Sequence, residues 1–167
     1  MSELPVTRAP ASVLSTPCAA VDPLAPEVVD LVESLLATMA SHAGCVGLAA
    51  NQVGVPARVF VLDVGGHPKT RSHAGLVVLA NPVLLEASRW EKGREGCLSV
   101  PDLTGDVKRA RRVVVSGVVP GTGEERVIEA DGYEAVGLQH ELDHLDGLLF
   151  LDRVAGAHAL HQRQTYL

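Results

Sequence analysis

The chain has 167 residues, of which 47% are apolar and 3% aromatic, and a formal net charge of −6. That length favours a single domain over residues 1–167, and the apolar content excludes a disordered chain, so the core is expected to be built from Val, Leu and Ala. The charge argues against a general phosphate-binding surface, although Lys108, Arg109, Arg111 and Arg112 form a local basic patch.

Residues 1–14 contain no apolar run of signal-peptide length behind a basic segment, and no stretch is long and apolar enough to span a bilayer. Cys18, Cys45 and Cys97 are odd in number and widely spread, which reads as reduced thiols in the cytoplasm rather than a disulfide framework. Neither a membrane partner nor direct nucleic-acid binding is expected. A first helix is predicted over about 26–39, where Val28, Val29, Leu31, Val32, Leu35, Leu36 and Met39 recur at helical spacing. Pro26 suits its first turn, where no intrahelical N–H partner is needed. The β-rich segments are 58–64, 76–80, 112–119 and 126–128, with 65–75 a polar exposed loop. Pro120, Gly121, Thr122 and Gly123 join the last two as a hairpin. A second helix is predicted over about 133–145, with Asp131 as N-cap, Glu134 completing a capping box and Gly147 ending it. Strands and helices do not alternate, so the fold class is α+β: antiparallel or mixed sheets around a central helix.

That second helix carries the strongest chemical signal, His140-Glu141-Leu142-Asp143-His144. Residues four apart share a helix face, so both imidazoles can reach one ion, and Glu141 beside them is placed to take a proton from a water. The bland alternative is a solvated helix face rich in His and acids. A third ligand decides the class, because a catalytic site of this type has three protein ligands and an open position. The extended motif with a third His fails, since Phe150 holds that position, and a late Glu fails because none follows Glu141. Asp152, His158 and His161 have easy surface readings. Cys97, next to Gly96 in Arg94-Glu95-Gly96-Cys97-Leu98-Ser99, is the better candidate, and a thiolate with two imidazoles suits Zn²⁺ or Fe²⁺. Spacing alone leaves an inert buried cysteine as an equal alternative.

Three blocks, Val46-Gly47-Leu48-Ala49-Ala50-Asn51-Gln52, Glu95-Gly96-Cys97-Leu98-Ser99 and Gln139-His140-Glu141-Leu142-Asp143-His144-Leu145, resemble in order and spacing the three signature motifs of peptide deformylases. The likeness spans about 13–153. It implies an α+β hydrolase that removes the N-formyl group from the N-terminal methionine of newly made polypeptides and releases formate. It further implies Cys97, His140 and His144 as metal ligands, Glu141 as general base and then acid, and Gln52 with the Leu98 N–H as oxyanion donors. The implied cofactor is one divalent ion, Fe²⁺ in the cell, with Zn²⁺, Ni²⁺ or Co²⁺ able to replace it.

Val136 and Gly137 lie one turn before His140, and with Val46 and Gly47 they are expected to line an apolar cavity for the methionine side chain. Ordinary core packing is the alternative for Val136. Glu95 and Arg109 are read as a pair holding the Cys97 loop against the next strand, with surface charge as the default for either. One departure stands out: Cys45 occupies a position where the family usually has glycine. It hints at a rival reading, the same site acting on other N-acyl groups. A non-catalytic metal-binding protein and a neutral metalloprotease are more distant rivals. The sequence is short after Arg153, whereas family members that dock on ribosomes often carry a longer C-terminal helix, so ribosome contact stays open.

Overall fold

The architecture follows from how one strand can be buried on both faces. Residues Val59–Leu62 form the strand β2, and all four are buried. Successive side chains on a strand point to opposite faces. Val59 and Val61 therefore join Leu48, Ala80, Val28 and Leu35 on one side, while Phe60 and Leu62 join Leu79, Val113, Val115 and Leu138 on the other. Each face is covered by one helix: α1, Pro26–Ser41, and α2, Gly132–Leu145. Leu35 and Leu138, both fully buried, contribute about 1.5–3 kcal/mol each by leaving water.

The computed structural model describes residues 2–164. Its sheet is antiparallel and runs β1 (Gly47–Ala49), β2, β3 (Val77–Cys97), β4 (Val100–Val118) and β5 (Glu125–Asp131), with β6 (Leu160–Gln162) also pairing β4. β5 pairs β4 along 112–118 and β6 pairs it along 103–105, so one long strand serves two neighbours. This is the expected α+β class, with an antiparallel sheet. No helix among the described residues is long and apolar enough to cross a membrane.

Several sequence expectations need correction. β3 and β4 form one long hairpin, far beyond the predicted 76–80 and 112–119. The signal was broken by Asn81-Pro82, which sits at a register shift where Asn81 takes φ 50°. Proline in a strand is confined to such irregular places, and asparagine tolerates the left-handed region. Asn81 is also tied down by its side chain, which accepts from Val21 N–H and donates to the Val21 carbonyl. β1 and β6, three residues each, were too short to read. Asp131 is the N-cap of α2 but makes no side-chain capping bond. Glu134 is drawn away instead, accepting from Ala74 N–H at 2.8 Å. Gly147, at φ 78°, does follow the end of α2, where the left-handed conformation suits it. Arg109 is not part of a basic surface: it is 3% exposed, because it shares its strand face with Val107 while Lys108 points out.

Candidate active site

Three donor atoms converge where α2 meets the tip of the β3–β4 hairpin. Cys97 Sγ lies 3.3 Å from His144 Nε2, and His144 Nε2 lies 3.2 Å from His140 Nε2. All three ligating atoms fall within 4.8 Å of one another. A tetrahedral ion with metal–nitrogen bonds near 2.05 Å and metal–sulfur near 2.3 Å separates two nitrogens by about 3.3 Å and nitrogen from sulfur by about 3.6 Å. The donor set therefore fits a divalent metal in chemistry and in spacing. The histidines owe their common direction to the four-residue spacing on α2, and Cys97 is delivered by the hairpin turn.

Polar neighbours set the state of each donor. Burial would raise the Cys97 thiol, but His144 and His140 more than offset it and hold it well below the ordinary thiol range. The shift is toward the thiolate, the form that binds metal. His140 Nδ1 pairs with Glu95 Oε1 at 2.9 Å, which orients the ring so that Nε2 faces the donor cluster. Glu95 is held in turn by Arg109, at 2.8 and 3.0 Å, and Arg109 also reaches Asp143, which Arg153 grips at 2.9 and 2.8 Å. Burial opposes ionisation of Glu95, yet its bonds to His140 and Arg109 bring its pKa down to about 2. Asn51 Nδ2 donates to the His144 carbonyl and ties the 3₁₀ turn Ala50–Val53 to the end of α2.

Glu141 faces the same space. It is 3% exposed, and Oε2 has no hydrogen-bond partner among the described residues. Burial raises its pKa to about 7, against the pull of His144 and His140. Gln52 is buried nearby: its Oε1 accepts from Ala49 N–H, while Nε2 lies 3.3 Å from Cys97 Sγ and 3.1 Å from Ser99 Oγ. Gly47 leaves room for the Glu141 carboxylate, since a Cβ there would sit 2.6 Å from Glu141 Oε1.

A cavity of about 260 Å³ opens beside these groups, and Val46, Gly47, Gln52, Cys97, Leu98, Val136, Gly137, His140 and Glu141 all line it. His144 sits behind its wall against Cys97. Gly137 is tighter than the sequence suggested, because a Cβ there would meet Leu62 at 3.0 Å. The pairing of Glu95 with Arg109 is present, but both are buried rather than on the surface. Sequence reasoning missed the extension of that pair to His140, Asp143 and Arg153. It also gave no role to Ser99, which stands in the block around Cys97, or to Tyr133, Lys69 and Arg163, which carry no local pattern. Asp152, His158 and His161 lie apart from the donor group: Asp152 caps Leu149 N–H and His161 pairs with Asp106.

A family model described as polypeptide deformylase matches residues 3–159. The chain belongs to that family. It is 48% identical over 145 residues to peptide deformylase 2 of Streptomyces avermitilis, covering 86% of this chain and 75% of the relative. It is 45% identical over 130 residues to the peptide deformylase of Carboxydothermus hydrogenoformans, covering 78% and 79%. Among solved structures it resembles the Met-Ala-Ser-bound class I type b peptide deformylase of Acinetobacter baumannii, with a TM-score of 0.84, 35% identity and coverage of 92% and 100%. The deformylase is a hydrolase, and its family's reaction is removal of the N-formyl group from newly made polypeptides.

Proposed function

We propose that Cys97, His140 and His144 hold one divalent metal, Fe²⁺ in the cell with Zn²⁺, Ni²⁺ or Co²⁺ as substitutes, and that Glu141 performs proton transfer in deformylation of N-formylmethionyl chains. The observation that carries the reading is the convergence of those three donors, all within 4.8 Å of one another, beside a buried carboxyl whose Oε2 has no partner among the described residues. An ion held there supplies Lewis acidity toward the formyl carbonyl and the attacking water.

The residues then divide the work. Glu141 accepts the proton of the attacking water and returns it to the departing amine nitrogen, so one water and one formamide give formate and a free N-terminus. A carboxyl near neutrality is suited to both directions of transfer. The Gln52 side-chain amide and the Leu98 backbone N–H donate to the oxyanion that develops on the formyl oxygen, at about 3–4 kcal/mol per preorganised donor. Val46, Gly47, Val136 and Gly137 form the wall for the methionine side chain, in keeping with their shared cavity. The A. baumannii relative holds Met-Ala-Ser, a ligand with the same first residue. Residues 1–167 act as a single deformylase domain in the cytoplasm, where the three free cysteines stay reduced.

The test is formate release from a short N-formylmethionyl peptide by protein loaded anaerobically with Fe²⁺ or Ni²⁺, with Glu141→Ala as control. Release by the parent and not by the variant is expected. A folded, metal-loaded parent that releases none would overturn the assignment. Faster release from a different N-acyl peptide would instead favour the rival substrate class, in which Cys45 on the cavity wall has a part.

A further inference from the structure

The cavity opens among cations. Lys69, Arg94 and Arg163 line it, while its carboxylates are Glu95 and Glu141. Glu95 is already paired with Arg109 inside the wall, and Glu141 is buried at the reacting end. A chain with net charge −6 thus sets Lys69, beside the ion-paired Arg94, on the rim of its cavity.

The fold holds each cation in place. Lys69 is exposed, with Nζ 5.9 Å from the ring centroid of Tyr133, and His67 stacks on the same ring at 4.2 Å. It makes no ion pair among the described residues, so its charge faces whatever enters. Arg94 is half exposed and positioned by Asp106 at 3.0 Å. Arg163 follows β6, and its guanidinium fills the space that a Cβ on Gly96 would need, one residue from Cys97.

We propose that this rim makes the enzyme selective for N-formyl peptides with acidic side chains just after the first methionine, and that Lys69 is a specificity-determining residue. The inference rests on the deformylase reading. With the formyl group at Glu141 and the first side chain against Val136, the following residues leave through the mouth, past Lys69 and Arg94. A carboxylate there meets opposite charge without losing its water, so the gain falls on binding and is screened by salt.

The test compares metal-loaded parent, Lys69→Glu and Lys69→Arg on two C-terminally amidated peptides, formyl-Met-Ala-Asp and formyl-Met-Ala-Asn. At low salt the parent is expected to prefer the Asp peptide by about three- to tenfold in kcat/KM. The preference should reside in KM, shrink at high salt, survive in Lys69→Arg and be abolished or reversed in Lys69→Glu. The Asn peptide sets the baseline of each variant, and the ratio of Asp to Asn kcat/KM is the readout. Equal kcat/KM for both peptides in the parent overturns the inference and leaves the deformylase assignment standing. An Asp preference that Lys69→Glu does not reduce overturns the role of Lys69. Failure of the loaded parent on both peptides overturns the deformylase reading, and the inference with it.

Discussion

Replacing Arg109 with Met removes the charge that holds two buried carboxylates, while keeping most of the side-chain volume. Arg109 bonds Glu95 through two nitrogens and Asp143 through a third, and all three side chains are less than a tenth exposed. Afterwards Asp143 keeps Arg153, whose side chain is 46% exposed, and Glu95 keeps only His140. Breaking a buried pair from one side costs about 3–5 kcal/mol, mostly because the other charge stays buried. With a urea slope of about 2 kcal/mol per molar, the unfolding midpoint of the metal-loaded protein should fall by about 2 M at pH 7. A second substitution, Glu95→Gln, should cost less in this background than in the parent, since it removes a carboxylate that has already lost its main partner. The sign with pH follows from Glu95. In the parent its pKa is lowered from 4.5 to about 2, so its stabilisation is present above 4.5 and is lost as pH falls through about 2. In the variant the carboxyl protonates at higher pH, which relieves the buried charge, so the gap between parent and variant narrows on acidification. A gap below about 1 kcal/mol at pH 7, or one unaffected by the second substitution, would refute the reasoning.

Glu95→Gln alone should weaken metal binding by about 10–100-fold in a chelator competition, because His140 loses the carboxylate that orients its ring. Gly47→Ala should fold but lose most of its kcat, since the added methyl would lie 2.6 Å from Glu141 Oε1 and turn that carboxylate away; a variant with full kcat would show that Glu141 does not act from this position. Glu141 must be ionised to accept a proton, so kcat/KM should rise with pH through its pKa. That value is raised by burial to about 7 and lies lower once a cation is bound beside it, so a pH–rate profile without an acid limb would count against Glu141 as base.

Much of the site was readable because its parts are local. Two histidines four apart with Glu141 between them need only a helix to become a metal-facing row. The blocks around Gln52 and Cys97 are short and carry their small residues with them. The α+β class followed from the order of periodic segments, and α1 matched its predicted span closely because its apolar stripe is unbroken.

What stayed hidden depends on residues distant in sequence. Gln52 reaches Cys97 across 45 positions, and Cys97 reaches His144 across 47. Spacing alone could not separate Cys97 from an inert buried thiol; the hairpin tip does, by bringing its sulfur to two imidazoles. The capping box failed for the converse reason, since Glu134 had a better use in satisfying Ala74 N–H from another part of the chain. Arg109 resembled its basic neighbours in sequence, but strand alternation turned it inward toward Glu95 and Asp143. The sequence by itself thus determined the candidate donors and the helix that aligns two of them, because both are set by short-range geometry. Only the tertiary structure decided which charges are buried together and which cations ring the cavity, because a pairing between strands, helix and tail exists only once the chain has closed on itself.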